Sequence, residues 1–356
     1  MSRNINELCK DPLFQLNLAI WLAQPQIEHF HIHPLFYKSG LSIYSIGPLL
    51  ALPPDIRLAV SEKLDCQEGA RPDLVLETKA TKKFCILECK TSSFGPASTK
   101  PASQARTLLL IAGPILSEVL GLGTRRQNEG ILCYFSGSNQ IKMMENTLGI
   151  LAQEIDGIKL ESGEYGCFGV KLEQSTILLE YSDRIKKFLN FIEDSPVKIL
   201  TFEAETDPRP LYFIPYDPNI QQTKEEQELC RRILFERILS YIISKIGGVT
   251  IPSSIIFAIE EILNSATFGV YEVWEDNETK KHIRRLVREF LEDIRSRMDE
   301  ELREHINYES KRGWTFNLKD TETYEEMLKQ ISKFKPETLD LSKELQPTLF
   351  DDIMEN

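Results

Sequence analysis

The sequence predicts an α/β protein with a sheet-containing N-terminal half and a mainly helical C-terminal half. Two apolar runs of strand length, residues 73–77 and 84–90, are joined by polar residues and indicate a β-hairpin. Helical and strand patterns alternate after this hairpin, as expected for a mixed α/β domain. Beyond residue 222 the apolar residues recur at helical spacing.

The other elements are predicted from periodicity and from residues that start or stop helices. Asp11 followed by Pro12 favours a helix that runs to about Gln24. In the N-terminal half we expect helices near 101–120 and 142–155, a helix ending at residue 192, and strands near 131–135, 167–172 and 177–181. Four prolines between 203 and 222 indicate a connector with one short strand, 211–214. In the C-terminal half we expect helices at 229–246, 252–265 and 278–305.

Length and composition exclude several classes of protein. A chain of 356 residues with 42% hydrophobic content can bury a sizeable core, and its length suggests two domains or one enlarged domain. The cysteine count, 7, is odd and includes no C-x-x-C pair, which argues against a disulfide framework or a structural zinc site. Neither long apolar stretch, 13–23 or 108–122, approaches the roughly 20 residues that span a bilayer. We therefore expect a soluble cytoplasmic protein with no membrane segment.

The net charge of -12 opposes nucleic-acid binding, because phosphate contacts depend on lysine and arginine. Local basic clusters would have to attract such a ligand. The candidates are Lys79 with Lys82 and Lys83, Arg125 with Arg126, Arg231 with Arg232, and Lys280, Lys281, Arg284 and Arg285. Each cluster is more typical of an ordinary solvated surface.

The hairpin brings together residues suited to metal-assisted chemistry. A turn between Ala80 and Thr81 sets Asp73 directly opposite Glu88, with Cβ atoms about 4.5 to 5.5 Å apart. Two opposed carboxylates destabilise a sheet unless a cation lies between them. Lys90 points to the same face as Glu88, where its ammonium could orient an attacking water or stabilise charge in a transition state.

These residues resemble the signature of a known family. Pro72 and Asp73, followed after 14 residues by Glu88, Cys89 and Lys90, resemble the PD-(D/E)xK motif of restriction-endonuclease-like nucleases. The resemblance implies a central mixed sheet flanked by helices, in the order helix, three strands, helix, strand. It also implies that Asp73, Glu88 and the backbone carbonyl of Cys89 bind Mg²⁺ or Mn²⁺ and that Lys90 assists the nucleophile.

Two further site residues are implied by the same resemblance. Many members carry a glutamine or lysine early in the helix after the signature lysine, and Gln104 is placed to match it. An upstream acidic ligand is common in the family, and Glu62 is preferred here over Glu7 and Glu28. The implied function is metal-dependent hydrolysis of phosphodiester bonds in restriction, phage defence or DNA repair. DNA is favoured as the substrate, but no residue distinguishes DNA from RNA.

On this interpretation the chain has four parts. Residues 1–205 form the nuclease-like domain, 206–222 the proline-rich connector, 223–340 a helical domain and 341–356 an acidic tail. The helical domain would recognise a protein partner, an oligomer mate or the substrate. In the tail, Gln346, Leu349 and Phe350 resemble the Q-x-x-L-F peptide that docks on the bacterial sliding clamp, although these residues could equally pack onto the helical domain.

Alternative interpretations remain open. The hairpin could be a solvated surface feature, or the fold could be a catalytically silent nuclease-like scaffold. The chain could also be a helical or clamp-associated DNA-binding adaptor whose hairpin is incidental. Three alternating histidines could gather a metal on a strand, although an ordinary, partly buried strand edge explains them as well. They are His29, His31 and His33.

Overall fold

The chain divides into two compact units in the computed structural model. The residues described are 5–78, 80–97, 99–123, 128–202, 209–215, 223–248, 254–309 and 313–334. The first unit comprises Met1–Ile220 and Thr267–His282, and the second comprises Gln221–Ala266 and Ile283–Asn356. The sequence did not predict that a later segment joins the first unit.

A seven-stranded mixed sheet organises the first unit, in the order β1-β4-β5-β6-β7-β8-β9. Its strands are β1 (Leu41–Ile46), β4 (Leu74–Thr78), β5 (Lys83–Cys89), β6 (Glu129–Gly137), β7 (Glu164–Glu173), β8 (Thr176–Tyr181) and β9 (Val197–Thr201). The pairs β5–β6 and β6–β7 are parallel and the others antiparallel. Two short strands, β2 (Leu50–Ala51) and β3 (Gly69–Ala70), pair separately. This arrangement confirms the predicted mixed sheet flanked by helices.

Helices flank the large sheet. They are α1 (Ile5–Leu8), α2 (Pro12–Leu22), α3 (Leu35–Lys38), α4 (Pro54–Val60), α5 (Lys100–Ala112), α6 (Leu116–Val119), α7 (Ile141–Gly157) and α8 (Asp183–Leu189), with 3₁₀ helices at Pro25–Phe30, Ser138–Gln140, Arg209–Leu211 and Val270–Val273. On one face, Ile86 and Tyr134 pack into a single core with Leu108 of α5 and Leu148 of α7. Side chains alternate along a strand, so Glu88 points to this same face.

The hairpin of β4 and β5 has the predicted register. Leu74 pairs with Leu87 and Glu77 pairs with Phe84. One step beyond the Leu74–Leu87 pair, this register sets Asp73 opposite Glu88. The helix, three strands, helix and strand expected from the resemblance have counterparts in α2, β1, β4, β5, α5 and β6, with α3, β2, α4, β3 and α6 between them.

Two buried amide side chains on α2 form hydrogen bonds with backbone groups outside the helix. The Asn17 side chain accepts from the Ile214 N–H and donates to the Ile214 carbonyl, both at 2.9 Å. The predicted strand 211–214 is therefore wrong, because the backbone of Ile214 is satisfied by this amide and not by a neighbouring strand. Gln15 donates to the carbonyls of Cys9 at 3.0 Å and Lys90 at 3.2 Å, which ties α2 to the end of β5.

Other predicted elements differ from the structure at helix breakers. The predicted helix 101–120 is interrupted at Gly113 and Pro114, so that α5 and α6 are separate. The helix predicted to end at residue 192 ends at Leu189, where Asn190 adopts a left-handed conformation. The strand β9 was not predicted.

The predicted strand that contains His29, His31 and His33 is also wrong. Residues Pro25–Phe30 form a 3₁₀ helix that ends at His31, whose φ is 58°. His33 lies 2.6 Å from a carboxylate oxygen of Glu193. The three histidines therefore do not line one side of a strand, and the alternation carries no metal site.

The second unit contains helices and a small sheet. Its strands β10 (Ile255–Phe257), β11 (Ile306–Glu309) and β12 (Gly313–Phe316) are antiparallel in the order β10-β12-β11. Its helices include α9 (Lys224–Gly247), α10 (Ile259–Ala266), α12 (Glu300–Arg303) and α13 (Thr321–Ser332), and α11 (Asn277–Ser296) belongs to it from Ile283 onward. The predicted helices 252–265 and 278–305 are thus too long, because β10 precedes α10 and α11 ends at Ser296.

Two predictions about the whole chain can be compared with the described residues. All seven cysteines are free, and all except Cys66 are buried. Within the described ranges, no helix combines the length and apolar character needed to cross a membrane.

Candidate functional site

Asp73 and Glu88 bring two carboxyl groups together where β4 and β5 meet. Asp73 is half-buried immediately before β4, and its Oδ2 accepts a 2.6 Å hydrogen bond from the N–H of Cys89. Glu88 is only 4% exposed. The hydrogen bond orients the Asp73 carboxylate toward the backbone of β5, beside the buried carboxylate of Glu88.

The two oxygens of Glu88 have different surroundings. Oε1 accepts from the Lys90 ammonium at 2.7 Å and from the Gln104 amide at 3.0 Å. Oε2 is buried and has no hydrogen-bond partner among the described residues. A buried carboxylate oxygen without a donor is costly, so this atom is available to a ligand.

Gln104 connects three parts of the site. Its amide nitrogen also lies 3.4 Å from the carbonyl of Arg71, and its oxygen lies 3.4 Å from the Lys90 ammonium. The helix α5 that carries it begins with Thr99 as its N-cap. The structure therefore brings together Asp73, Glu88, Lys90 and Gln104, four of the residues that the sequence singled out.

The charges at the site perturb each other. Burial, followed by the charge of Asp73, raises the pKa of Glu88 to about 8, against the opposing effects of Lys90 and Gln104. Burial alone would lower the pKa of Lys90, but the carboxylates of Glu88 and Asp73 hold it above its ordinary value. Lys90 is therefore a cation at neutral pH, whereas Glu88 readily takes up a proton when no other cation is present.

Replacing Glu88 should make the metal-free protein more stable at high pH. A carboxyl whose folded-state pKa is raised binds its proton more tightly when folded, so stability falls as the pH rises from the ordinary value through about 8. Glu88→Gln removes this loss. We expect similar stability of the two proteins at pH 5 and an advantage of about 1 to 3 kcal/mol for the variant at pH 9.

Denaturant unfolding in the presence of a chelator measures this difference. Glu118→Gln, which changes an exposed carboxyl on α6, is the matched control and should leave the pH dependence unchanged. A stability difference between Glu88→Gln and the wild type that stays constant from pH 5 to pH 9 would show that burial of the Glu88 charge does not limit stability.

Residues that the sequence did not indicate also line the site. Tyr134 of β6 is the parallel partner of Glu88, so the two side chains lie next to each other on one face. The Lys90 N–H donates to the carbonyl of Phe135 at 2.9 Å, which extends the register and sets Ser136 beside Lys90. The hydroxyls of Tyr134 and Ser136 are buried and unpartnered within the described parts of the chain. Only the β5–β6 register, which depends on the intervening helix, could have identified them.

The structure does not join Glu62 to these residues. Glu62 is exposed in the turn after α4. No cluster of three or more histidine, cysteine, aspartate or glutamate side chains in the described ranges could hold a metal ion. Cys89 follows Glu88 directly and takes part in the site through its backbone N–H, which binds Asp73. Burial raises the pKa of its thiol well above the ordinary value.

The donor set still suits one kind of cation. Mg²⁺ is commonly bound through one or two carboxylates and retains several waters. Asp73 and Glu88 supply two hard oxygen ligands, and Glu88 Oε2 is the buried atom that lacks a donor. A hard divalent cation with water ligands therefore fits these residues, whereas a fully protein-enclosed metal site does not.

Several predicted basic clusters are at least partly neutralised in the structure. Lys83 lies 3.6 Å from Glu129, and Arg284 lies 3.1 Å from Glu260. Arg285 approaches Glu289 at 3.7 Å. Lys79, Arg125, Arg126 and the clamp-like segment 346–350 lie outside the described residues.

Comparisons with known proteins identify no relative. No protein-family model matches the chain, and neither a curated protein nor a solved structure matches it. What the site can do must therefore be inferred from its own residues.

Proposed function

We propose that this protein is a metal-dependent nuclease whose site is formed by Asp73, Glu88 and Lys90. The observation that carries the proposal is the buried carboxylate of Glu88, which lies beside Asp73 and has one oxygen without a hydrogen-bond donor. An arrangement of this kind is unfavourable without a cation and favourable with one. Mg²⁺ or Mn²⁺ is the proposed cofactor.

Each side chain has a distinct role in this proposal. Asp73 and Glu88 would hold the cation, which when bound would acidify water and neutralise charge on the scissile phosphate. Lys90, a cation held 2.7 Å from Glu88 Oε1, would orient the attacking water or stabilise negative charge on the phosphate. Gln104 positions both Glu88 and Lys90 through its amide.

DNA is the proposed substrate, with restriction, phage defence or repair as the setting. The family resemblance of Pro72-Asp73 and Glu88-Cys89-Lys90 supports this choice, together with the order of α2, β1, β4, β5, α5 and β6. The net charge of -12 requires a local attraction for phosphate, from a basic groove or from a protein partner.

Purified protein should cleave plasmid or single-stranded DNA with Mg²⁺ or Mn²⁺, and a chelator should stop the reaction. Single-stranded RNA in the same assay decides between the two nucleic acids. Glu88→Ala should abolish cleavage, whereas Glu118→Ala should not. If the wild-type protein neither cleaves any of these substrates nor binds Mn²⁺, a catalytically silent scaffold becomes the better interpretation.

In this proposal, Arg71 would contact the substrate next to the site. Its carbonyl accepts from Gln104 at 3.4 Å, and its guanidinium, 45% exposed, donates to the carbonyl of Gly47 at 3.1 Å. Asp276 lies 3.9 Å from the same guanidinium. Held in this way, Arg71 would present its remaining donors to a backbone phosphate.

Arg71→Ala should weaken DNA binding about equally for all sequences. It should also reduce the slope of log affinity against log salt concentration by about 1, because one phosphate contact is lost. Fluorescence anisotropy over a salt series measures both effects. Arg57→Ala, which removes a similarly exposed arginine paired with Glu68, is the control. An unchanged slope in Arg71→Ala would exclude the phosphate contact.

A further inference from the structure

Tyr134 is a buried tyrosine whose hydroxyl makes no hydrogen bond to any described residue. Its ring packs against Phe94 at a centroid distance of 5.3 Å and belongs to the core that α5 and α7 cover. Phenylalanine would fill this space without burying an unsatisfied polar atom. Such a hydroxyl lowers stability unless something supplies its hydrogen bond.

The position of Tyr134 indicates what supplies that bond. Tyr134 and Glu88 are paired residues on parallel strands, with side chains adjacent on the same face. Among the described residues, Glu88 Oε2 is another buried atom without a partner at this point of the sheet, and it does not bond directly to the Tyr134 hydroxyl. A small oxygen ligand that touches both would satisfy both.

We propose that Tyr134 is a positioning residue of the carboxylate site, whose hydroxyl donates a hydrogen bond to an oxygen ligand of the cation bound at Glu88. The inference rests on the proposed function, because it requires a cation at Asp73 and Glu88. It adds a residue of β6 to a site otherwise formed by β4, β5 and α5.

The neighbouring strand position supports this assignment. Ser136 lies beside Lys90 as Tyr134 lies beside Glu88, and its buried hydroxyl is likewise unpartnered within the described ranges. Side chains two residues apart on a strand share one face. The two hydroxyls of β6 therefore lie next to Glu88 in β5 and Lys90 just after it, where ligand oxygens of a hydrated cation would be found.

Tyr134→Phe tests the proposal because it removes one oxygen and keeps the ring. We expect calorimetry to show Mn²⁺ affinity reduced about tenfold or more, the loss typical of removing a residue that orients a metal's ligands. The melting temperature of the metal-free protein should be unchanged or higher, because an unsatisfied buried hydroxyl is gone. Tyr212, a buried tyrosine packed against Phe14 and Trp21, provides the control: Tyr212→Phe should retain wild-type Mn²⁺ affinity.

The outcomes separate this inference from the function on which it rests. Wild-type Mn²⁺ affinity in Tyr134→Phe would overturn the role of Tyr134 and leave the metal site standing. An equal loss of Mn²⁺ affinity in Tyr134→Phe and Tyr212→Phe would also overturn the role of Tyr134, because the effect would then be general to buried hydroxyls. Absence of Mn²⁺ binding by the wild-type protein would overturn the proposed function and this inference together.

Discussion

Asp73→Asn should reduce Mn²⁺ affinity by at least about 100-fold and abolish cleavage. The substitution keeps a side-chain oxygen that can accept from the N–H of Cys89, so local geometry is retained while the charge is lost. A divalent cation that retains most of its waters depends on few protein ligands, and loss of one of two carboxylates removes a large part of its attraction.

Calorimetry with Mn²⁺, combined with a cleavage assay, measures the effect of Asp73→Asn. Asp183→Asn, at the exposed start of α8, is the matched control and should behave as the wild-type protein. The metal-free Asp73→Asn protein should also be more stable than the wild type at pH 8, because Asp73 contributes to the raised pKa of Glu88. Unchanged Mn²⁺ affinity in Asp73→Asn would remove Asp73 from the site.

Lys90→Ala should have the second large effect, on the rate and not on metal binding. Loss of a group that orients water or stabilises the charge of a transition state slows catalysis by about 10² to 10⁴-fold. Mn²⁺ affinity should stay within a few-fold of wild type, because the ammonium is no ligand and its removal takes a positive charge away from the cation.

Single-turnover cleavage at saturating Mn²⁺ measures the Lys90→Ala effect without a contribution from metal binding. Lys171→Ala, which removes a lysine of β7 paired with Glu173 and with Glu180 of β8, controls for the loss of a positive charge. A Lys90→Ala protein that cleaves at the wild-type rate would exclude a catalytic role. It would then leave Lys90 as a structural counterion of Glu88.

The hairpin was predictable because its determinants are local. Alternating apolar residues define the faces of β4 and β5, and the turn between them sets the register that opposes Asp73 and Glu88. The placement of Gln104 was also predictable, since the family resemblance locates it early in the helix that follows the signature lysine.

The rest of the candidate site depends on contacts between residues far apart in the chain. Tyr134 lies next to Glu88 because β5 and β6 pair in parallel. The register of this pairing follows from the packing of α5, and no local pattern encodes it. Glu62 was chosen from its position in the sequence, but the turn after α4 leaves it exposed. The membership of Thr267–His282 in the first unit likewise depends on tertiary contacts.

The errors in secondary structure have a similar origin. Residues 211–214 have the apolar character of a strand, but they form tertiary contacts and not strand pairing. Tyr212 packs against Phe14 and Trp21, and the amide of Asn17 takes both backbone groups of Ile214. The Asn17 amide in the apolar pattern of α2 was the sequence signal for the contact with Ile214, since buried amides require polar partners.

Anomalous diffraction from crystals of this protein grown with Mn²⁺ would test the central claim most directly. The proposed site predicts a manganese peak in contact with the carboxylates of Asp73 and Glu88, including Glu88 Oε2, and its loss in Asp73→Asn crystals. Full-occupancy manganese elsewhere with none at these carboxylates, or no bound manganese at millimolar concentration and pH 8, would contradict the account.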